Sequence, residues 1–529
     1  PKRILRELKS FLTFKESQHL EIKENRSPDY SGLKLYNDIF AAKRPLQKTS
    51  LNKSELHDIL TPEVAQVGEK LPPNFLSHGS KTLSQIAQKS LKPIPYISDE
   101  AIQFGKKCIK RFFTEFDDLT DEEVIKGIKE EELAGLNKLS VNGFGYEKDK
   151  EMYIDFDKGE VTENFAAKMQ QFRNDCKTDE TNIGDVLFYE AFKDELRLEE
   201  KKDKPRSFRV APLHHTFLVK KCLGKLFAHC KKNMWENQMA IGMNPYKHWN
   251  KLYQKLKTSF INFDGDFGNW DGGAPAQVQD AISEIVLEFY KGEDVEVLKV
   301  LLNSMVRTFV LIKEKVVLTT HSMPSGCWVT AFFNSLINRF LTAMVLFTEM
   351  SKEGLIPTVE DFDAIVDFVM GDDKICGAPA RLAKYFNAIT MRDFAHSIGM
   401  RYTDGEKGEI TEPSKLLSEC VFLKRNFRWH SKLNTTVGPL SLTTLINSLR
   451  YKDSSRDYDE IMAGKMTAFQ FEMFLHENEE LKEKVMEAAR HSSFFFKEFS
   501  DEHISKTMKE DDTYALIMKG LGKDLATYS

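Results

Sequence analysis

The sequence DFDAIVDFVMGDDKICGAP, residues 361–379, places two adjacent carboxylates between two apolar runs. The first run covers residues 364–370 and the second covers residues 375–378. Short apolar runs separated by a Gly-Asp turn are typical of a β-hairpin. The pattern predicts two strands with Asp372 and Asp373 exposed at the tip, where a rigid scaffold often presents chemistry. An ordinary turn is the alternative, because Gly and Asp are common in turns for backbone reasons.

The composition is that of a soluble globular protein long enough for several domains. The chain has 529 residues, of which 41% are hydrophobic and 29% charged. No apolar run approaches the roughly 20 residues needed to cross a bilayer, so no transmembrane segment is expected. Residues 1–20 are amphipathic and charged, without the apolar core of a signal peptide.

Cysteine usage and net charge narrow the possible functions. The seven cysteines are scattered and form no CxxC pair, which indicates reduced thiols and argues against a zinc site. The net charge is −5, so a nucleic acid would have to bind through local basic surfaces and not a global positive field.

A second group of carboxylates lies upstream in SFINFDGDFGNWDGG, residues 259–273. Its apolar start predicts a strand that ends in a Gly- and Asp-rich turn. Strand alternation places Asp264 and Asp266 on one face, and Asp271 follows past the turn. Carboxylates at a strand end suit Mg²⁺, which takes one or two of them together with substrate phosphates. On geometry alone, Asp264 and Asp266 are both candidate ligands.

Basic residues concentrate in FYEAFKDELRLEEKKDKPRSFRVAP, residues 188–212. Lys193, Arg197 and Lys201 recur every four residues, so a helix would place all three on one face. Arg209 lies in a segment that predicts a strand. A cationic face of this kind suits a triphosphate or a nucleic-acid backbone. The alternative is a solvated helix followed by a loop, because acidic residues are interspersed.

Residues 321–347 open with a Met-Pro-Ser-Gly loop and continue as a long apolar helical pattern. Thr330, Asn334 and Asn338 follow at a spacing of four and form a polar stripe. A stripe facing water is the simple interpretation. The helix is otherwise so apolar that it should be buried, and buried amides need partners. The pattern therefore favours a stripe that recognises hydroxyl groups of a ligand.

The order of these segments resembles the viral RNA-dependent RNA polymerases of the picornavirus-like supergroup. The matching motifs are the D-x4-D pair Asp266 and Asp271, the S-G-x3-T-x3-N helix that begins at Ser325, the G-D-D hairpin, Lys407, and Phe-Leu-Lys-Arg at residues 422–425. Weaker matches lie at residues 142–146, 193–197 and 438–450, so the resemblance covers about residues 140–455.

The resemblance implies an α+β fold, a closed right hand with fingers, a palm built from an antiparallel sheet and helices, and a small helical thumb. The implied domains are an N-terminal extension and fingers over residues 1–258, with the palm beginning within about 210–258, the first metal-binding palm strand over 259–275, a return to the fingers over 276–318, palm over 319–431, and thumb over 432–529.

The resemblance also implies the catalytic groups. Asp266 and Asp372 would be the main ligands of two Mg²⁺ ions, which Mn²⁺ could replace, with Asp373 in support. It favours Asp266 over Asp264, because only Asp266 has the required aspartate five residues later. Lys407 would be the general acid that protonates pyrophosphate.

The resemblance also implies that a larger set of residues recognises the nucleotide. Lys193, Arg197, Arg209 and one of Lys201 or Lys202 would neutralise the incoming triphosphate. Asp271, Thr330 and Asn334 would sense the ribose 2′-hydroxyl, and Ser325 and Gly326 would shape a mobile loop beside the template base.

The implied partners are template and primer RNA, ribonucleoside triphosphates, a viral genome-linked peptide primer and other viral replication proteins. Asn142 and Gly143 would lie where the template enters, and Lys424 and Arg425 would hold the primer backbone. The small thumb favours initiation from a protein-linked nucleotide on a positive-strand genome. The expected location is the host cytoplasm, at membrane-associated replication complexes.

Two alternatives are weighed against this interpretation. A reverse transcriptase shares the two-aspartate geometry but commonly excludes ribonucleotides with a bulky side chain below the sugar, whereas this chain has Asp271 with Asn334 beside it. A nucleic-acid-binding scaffold with an inactive palm would be expected to lack at least one metal carboxylate, and all are present.

Overall fold

The computed structural model describes residues 33–38, 48–81, 85–86, 94–178, 186–313, 315–455 and 457–522. The amphipathic N-terminal segment predicted over residues 1–20 lies outside the described residues.

The described chain mixes helices and short strands throughout. The α-helices are His57–Val67, Asp99–Ile109, Asp121–Lys126, Glu163–Thr178, Leu213–Lys232, Met234–Asn237, Pro245–Leu256, Trp270–Gly273, Ala276–Phe289, Val295–Val306, Thr330–Ser351, Val359–Asp363, Ala388–Ser397, Leu442–Arg450, Tyr458–His476, Glu479–Arg490, Asp501–Thr507 and Asp511–Gly520. The strands are Leu33–Asp38, Leu51–Lys53, Lys70–Leu71, Gly127–Ile128, Leu133–Ala134, Ile154–Asp155, Glu160–Val161, Leu187–Phe192, Arg197–Leu198, Ser207–Val210, Ile261–Gly268, Phe309–Ile312, Lys315–Thr319, Val366–Met370, Asp373–Ala378, Arg401–Thr403, Arg428–His430, Thr435–Val437 and Tyr451–Asp453.

A four-stranded antiparallel sheet carries the predicted hairpin. Its order is Val366–Met370, Asp373–Ala378, Ile261–Gly268 and Arg401–Thr403. The predicted hairpin is confirmed, because the first two strands pair directly across the Gly-Asp turn, but Asp372 and Asp373 are half-buried instead of exposed. Strand Ile261–Gly268 runs beside the hairpin in a register that sets Asp266 opposite Asp373. Two segments about a hundred residues apart in sequence therefore bring their carboxylates to one end of the sheet.

A five-stranded sheet lies in the regions that the sequence analysis assigns to the fingers. Its order is Leu33–Asp38, Lys315–Thr319, Phe309–Ile312, Leu187–Phe192 and Ser207–Val210. The strand predicted at Arg209 is confirmed, but the helix predicted over residues 193–201 is wrong. The Lys193 N–H instead donates to the Arg206 carbonyl and extends the hairpin ladder (2.8 Å). Continuation of this ladder past Phe192, together with the pairing of Arg197–Leu198 with Lys70–Leu71, thus overrides the four-residue spacing of the basic residues.

Helix Thr330–Ser351 lies at the centre of the main core. Its apolar side chains Phe332, Leu336 and Phe340 are fully buried. The helix is long and apolar enough to cross a membrane by composition, but it packs against the palm sheet and against helix Asp99–Ile109, as expected of a core helix.

Residues 48–71 connect the two sides of the molecule. Strand Leu51–Lys53 pairs with Tyr451–Asp453, and helix His57–Val67 packs against Leu442–Arg450. Strand Lys70–Leu71 then pairs with Arg197–Leu198, beside the five-stranded sheet. This one segment therefore contacts both the helical C-terminal region and the fingers.

A fully buried charge cluster lies beneath the hairpin. Asp367, in the first hairpin strand, lies 2.7 Å from an Arg339 nitrogen and 3.1 Å from the Lys374 ammonium, and all three side chains are at most 1% exposed. Burial alone would raise the pKa of Asp367, but the two cations and hydrogen bonds from Thr342 and Cys376 outweigh it and lower that pKa. The cluster ties the hairpin to helix Thr330–Ser351.

We predict that Asp367→Asn lowers the free energy of unfolding by about 3–5 kcal/mol, because it leaves two buried cations without a counter-charge. Urea denaturation at neutral pH measures the loss. Asp363→Asn is the matched control, since the exposed Asp363–Arg111 pair is worth at most about 1 kcal/mol. Equal losses in the two variants would contradict the prediction.

The same cluster predicts a pH dependence. The pKa of Asp367 is lower in the folded than in the unfolded protein, so its stabilisation is complete above the unfolded value of about 3.9. It is lost as the pH falls through the folded pKa. In acid titrations, the stability difference between wild type and Asp367→Asn should shrink below about pH 4. A difference that stays constant to lower pH would contradict this assignment.

Candidate active site

Helix Thr330–Ser351 holds the tip of the hairpin through two hydrogen bonds to Gly371. Gly371 has a φ of 65°, a left-handed conformation that glycine adopts without cost to a side chain. Its N–H donates to Ser335 Oγ (2.9 Å), and its carbonyl accepts from Asn338 Nδ2 (3.0 Å). The turn that carries Asp372 and Asp373 is thus fixed to the helix.

The three candidate metal-binding carboxylates crowd together at the end of the palm sheet. Burial, followed by repulsion from Asp266, raises the pKa of Asp372 to about 6. Burial and the charges of Asp372 and Asp266 raise the pKa of Asp373 well above its usual range, although the Leu423 N–H donates to its Oδ2 (2.7 Å). Like charges held this close favour binding of a proton or a cation.

Asp264, the rival candidate on the same strand, has its charge balanced inside the protein. The Lys415 ammonium lies 3.0 Å from Asp264 Oδ1, and the Val421 N–H donates to its Oδ2 (2.7 Å). The side chain is fully buried. Asp264 therefore acts as an anchor between strands and loops, and Asp266 remains as the candidate ligand.

Lys407 reaches the carboxylates from a neighbouring loop. Its ammonium donates to Asp266 Oδ2 (2.8 Å) and its side chain is 70% exposed. Asp404 holds the loop by accepting the N–H groups of Glu406 and Gly408. The structure thus brings together Asp266 and Lys407, which lie 141 residues apart in sequence.

The donor set fits a divalent cation. Within the ranges described, no group of three or more histidine, cysteine or acidic side chains, these three carboxylates included, is arranged closely enough to hold a metal ion without adjustment of the side chains. However, the oxygens of Asp266, Asp372 and Asp373 are the donor type that Mg²⁺ prefers. The raised pKa values of Asp372 and Asp373 show that a positive charge between these groups would stabilise their ionised forms.

The predicted triphosphate cations do not share one helix face. Arg197 pairs with Glu195 (3.2 Å), Lys202 with Glu199 (2.5 Å), and Lys201 is an exposed residue of a short 3₁₀ turn. The Lys193 ammonium lies over the Phe208 ring. The predicted contacts of these four cations with the triphosphate stay predictions.

Arg209 lies beside the candidate nucleotide loop. Its strand forms an isolated bridge to Gly326 through Val210. A Cβ at Gly326 would lie 2.2 Å from the Arg209 carbonyl oxygen, so this close approach requires glycine. Arg206, which the sequence analysis did not select, has its positive charge close enough to lower the pKa of Asp372. Its only sequence signal is its place directly before the strand that carries Phe208 and Arg209.

The predicted ribose-sensing residues lie close to the hairpin but differ in what they contact. Asn334 is buried, and its Oδ1 has no partner in the described structure. The Asp271 carbonyl accepts from the Met323 N–H (3.0 Å), which links it to the Ser325 loop. Thr330 Oγ1 lies 2.9 Å from the Pro324 carbonyl oxygen and 2.7 Å from that of Cys327. The ribose-sensing role of Asn334 and Asp271 stays a prediction, and the Thr330 hydroxyl is used to hold the loop.

Two predicted RNA contacts prove to be interior residues. Arg425 is 4% exposed and forms an ion pair with buried Glu472 (2.6 Å), so it braces the start of the thumb and offers no charge to a primer phosphate. Asn142 is buried and donates to the carbonyls of Glu147 and Lys148, which shapes its own loop. Both predictions are corrected to structural roles.

The neighbours of these two residues remain candidates. Lys424 is exposed, and both Leu423 and Lys424 adopt left-handed conformations that turn the chain sharply beside Asp373. Gly143 has a φ of 80°, and a Cβ there would lie 2.2 Å from the Ala211 carbonyl oxygen. Gly143 thus permits close packing of its loop, and its proximity to RNA stays a prediction.

Comparison with known proteins agrees with this geometry. Residues 86–493 match the family described as viral RNA-dependent RNA polymerase. The chain is 29% identical over 393 residues to the replicase polyprotein of Drosophila C virus, covering 68% of this chain and 22% of that protein. It is 30% identical over 254 residues to the RNA1 polyprotein of tomato ringspot virus, covering 47% of this chain and 11% of that protein.

A solved structure, the sicinivirus 3Dpol RNA-dependent RNA polymerase, has the same fold. It superposes with a TM-score of 0.71 at 18% identity, covering 91% of this chain and all of that one. This likeness confirms the predicted right-hand architecture. The chain spans about a fifth of the Drosophila C virus polyprotein it matches. The match over most of its length shows that the chain belongs to the viral RNA-dependent RNA polymerases of picorna-like viruses, a family of nucleotidyltransferases.

Proposed function

We propose that this chain copies RNA templates of a positive-strand viral genome by two-metal nucleotidyl transfer from ribonucleoside triphosphates. The observation that carries the proposal is the convergence of Asp266, Asp372 and Asp373 at one end of the palm sheet, with the Lys407 ammonium 2.8 Å from Asp266. Family membership supports the reaction class.

Asp266 and Asp372 would hold two Mg²⁺ ions, with Asp373 in support, and Mn²⁺ could replace them. When bound, the ions activate the primer 3′-hydroxyl and neutralise the leaving pyrophosphate. The protein's own contribution is to keep three carboxylates close together in spite of their repulsion, so that the site is preorganised for positive charge.

Lys407 is placed to move a proton. Its side chain is exposed, and its loop keeps the ammonium within reach of Asp266. An ammonium in this position can donate a proton to the pyrophosphate oxygen as the phosphorus–oxygen bond breaks. Arg209, Lys193 and Arg197 would balance the negative charge that develops on the triphosphate.

Asn334 is the residue that we propose to recognise the ribose. Its buried Oδ1 lacks a partner among the described residues and can accept a hydrogen bond from a 2′-hydroxyl. A deoxyribonucleotide would leave that oxygen unpaired and lose binding free energy. Asp271, on the neighbouring short helix, completes the proposed contact.

Removing the metal-binding charge should abolish synthesis. We expect Asp372→Asn to reduce ribonucleotide incorporation on a primed homopolymeric RNA template with Mg²⁺ by about a thousandfold, a loss of several kcal/mol of transition-state stabilisation. Asp363→Asn, an exposed aspartate on the preceding helix, should retain wild-type activity. Near-normal activity of Asp372→Asn would contradict the proposed site.

Removing the proposed ribose contact should relax sugar selectivity. Asn334→Ala is expected to reduce the ratio of kcat/KM for ribo- over deoxyribonucleotides by about tenfold, the equivalent of one lost hydrogen bond. Asn303→Ala, on the fingers helix Val295–Val306, is the control. An unchanged ratio in Asn334→Ala would remove Asn334 from the recognition network.

We propose that synthesis starts from a nucleotide linked to a viral peptide. The support is the size of the thumb, since the described residues 432–455 and 457–522 form short strands and helices without a large additional domain. The test supplies a purified peptide that carries a tyrosine, together with template and nucleotides. Labelled peptide is expected, and efficient initiation on an unprimed template with nucleotides alone would overturn the proposal.

The proposed partners are template and primer RNA and other viral replication proteins, because the relatives are segments of much longer polyproteins. The proposed location is membrane-associated replication complexes in the host cytoplasm. Fluorescent tagging in infected cells, with double-stranded RNA as the marker, checks it, and a distribution that does not overlap the marker would contradict it.

A further inference from the structure

Two polar residues of the central helix bind the glycine at the hairpin tip. Ser335 and Asn338 are fully buried. Ser335 Oγ accepts the Gly371 N–H, and Asn338 Nδ2 donates to the Gly371 carbonyl. We call this pair the Gly371 clamp.

The clamp fixes the backbone that immediately precedes Asp372. The two bonded groups lie on either side of the Gly371 Cα, so both soft dihedral angles of this residue are constrained together. Glycine has more conformational freedom to lose than any other residue, and an unclamped Gly371 would let the Asp372 carboxylate sample several positions. The location of Asp372 therefore follows the location of helix Thr330–Ser351.

The same helix carries the proposed ribose contact. Asn334 directly precedes Ser335, and its Cβ lies 4.0 Å from the position that a Cβ at Gly371 would occupy. A movement of the helix on nucleotide binding would thus reach Asp372 through two hydrogen bonds and no intervening loop.

The chemistry of Asn338 argues against a role in packing alone. Its Oδ1 is buried and has no partner among the described residues, which costs stability that a leucine of similar size would avoid. The amide is therefore explained by the bond that its Nδ2 donates to Gly371. Ser335 also donates to the Ala331 carbonyl (2.7 Å), so its hydroxyl uses both donor and acceptor capacity.

We propose that Ser335 and Asn338 are positioning residues that set the metal-binding geometry of Asp372 and couple it to the nucleotide-sensing helix. The proposal rests on the proposed function for the assignment of Asp372 as a metal ligand. Mg²⁺ demands nearly ideal octahedral geometry. A loosened Asp372 should therefore impair use of Mg²⁺ more than use of Mn²⁺.

The test compares Ser335→Ala and Asn338→Leu with Ser304→Ala. Ser304 is a fully buried serine whose hydroxyl, among the described residues, donates to the Leu301 carbonyl of its own helix Val295–Val306. Mn²⁺ binding to the RNA-free protein is measured by electron paramagnetic resonance, and the Mg²⁺ concentration for half-maximal synthesis is measured separately. Both clamp variants should weaken Mn²⁺ binding by about tenfold, the lower end of losses from ligand-supporting residues, and Mg²⁺ use by more.

Ser335→Thr keeps the hydroxyl and should bind Mn²⁺ as the wild type does. Wild-type Mn²⁺ affinity in both clamp variants would overturn the proposal. So would losses matched by Ser304→Ala at an equal fall in Tm, because these would reflect general destabilisation. If Asn338→Leu does not fold, Ser335→Ala decides the question.

Hydrogen exchange of the peptide that contains Gly371 provides a readout without metal. Loss of the Ser335 acceptor should raise exchange of the Gly371 amide by about tenfold or more, because its protection depends on that bond. Unchanged exchange would overturn the clamp even if activity fell. If the wild type failed to bind metal or make RNA, the proposed function would be overturned. The hydrogen-exchange measurement alone would then decide whether the Gly371 clamp exists.

Discussion

The enclosure of Asp367 between Arg339 and Lys374 is the interaction on which the active-site geometry depends. It places one carboxylate and two cations out of contact with water, where an unpaired charge would cost several kcal/mol. Because Asp367 and Lys374 lie on the two strands of the hairpin and Arg339 lies on the central helix, the cluster allows one relative placement of the two elements. The bonds to Gly371 then continue the same attachment up to the tip.

That rigidity is needed because the carboxylates at the hairpin tip repel one another, which opposes folding. Asp266, Asp372 and Asp373 would move apart if the backbone allowed it, and burial makes their repulsion stronger. Three contacts offset this cost: the Leu423 N–H donates to Asp373, the Lys407 ammonium donates to Asp266, and the Lys415 side chain neutralises Asp264. The contact with Lys415 distinguishes Asp264 from Asp266, which strand alternation alone could not rank as metal ligands. Asp264 is neutralised in the interior, and Asp266 lies at the end of the sheet.

Much of the fold was predictable where the sequence pattern and the tertiary contacts agree. The hairpin at residues 366–378, the strand that ends near Asp266 and the core helix after the Ser325 loop all follow from local apolar patterns. The helix expected from the spacing of Lys193, Arg197 and Lys201 does not form, because Lys193 bonds to Arg206 across the hairpin and Arg197–Leu198 pairs with Lys70–Leu71. Arg425 and Asn142 were misassigned since a sequence does not reveal that a polar side chain will find a partner inside the protein. The same limitation hid Ser335, whose partner is a backbone group 36 residues away.

The chain segment 48–71 has a consequence for how substrate can come and go. It is hydrogen-bonded to the thumb through Leu51–Lys53 and to the fingers through Lys70–Leu71, so these two regions cannot separate while both pairings persist. If RNA binds between them, as the proposed function requires, it has no exit on the side that this segment closes. On that side an RNA would have to pass lengthwise, end first, and a circular molecule would be admitted only after the two-residue pairing with Arg197–Leu198 had opened. Retention of such a template would then be topological, and would not require strong attraction between the protein and any one phosphate.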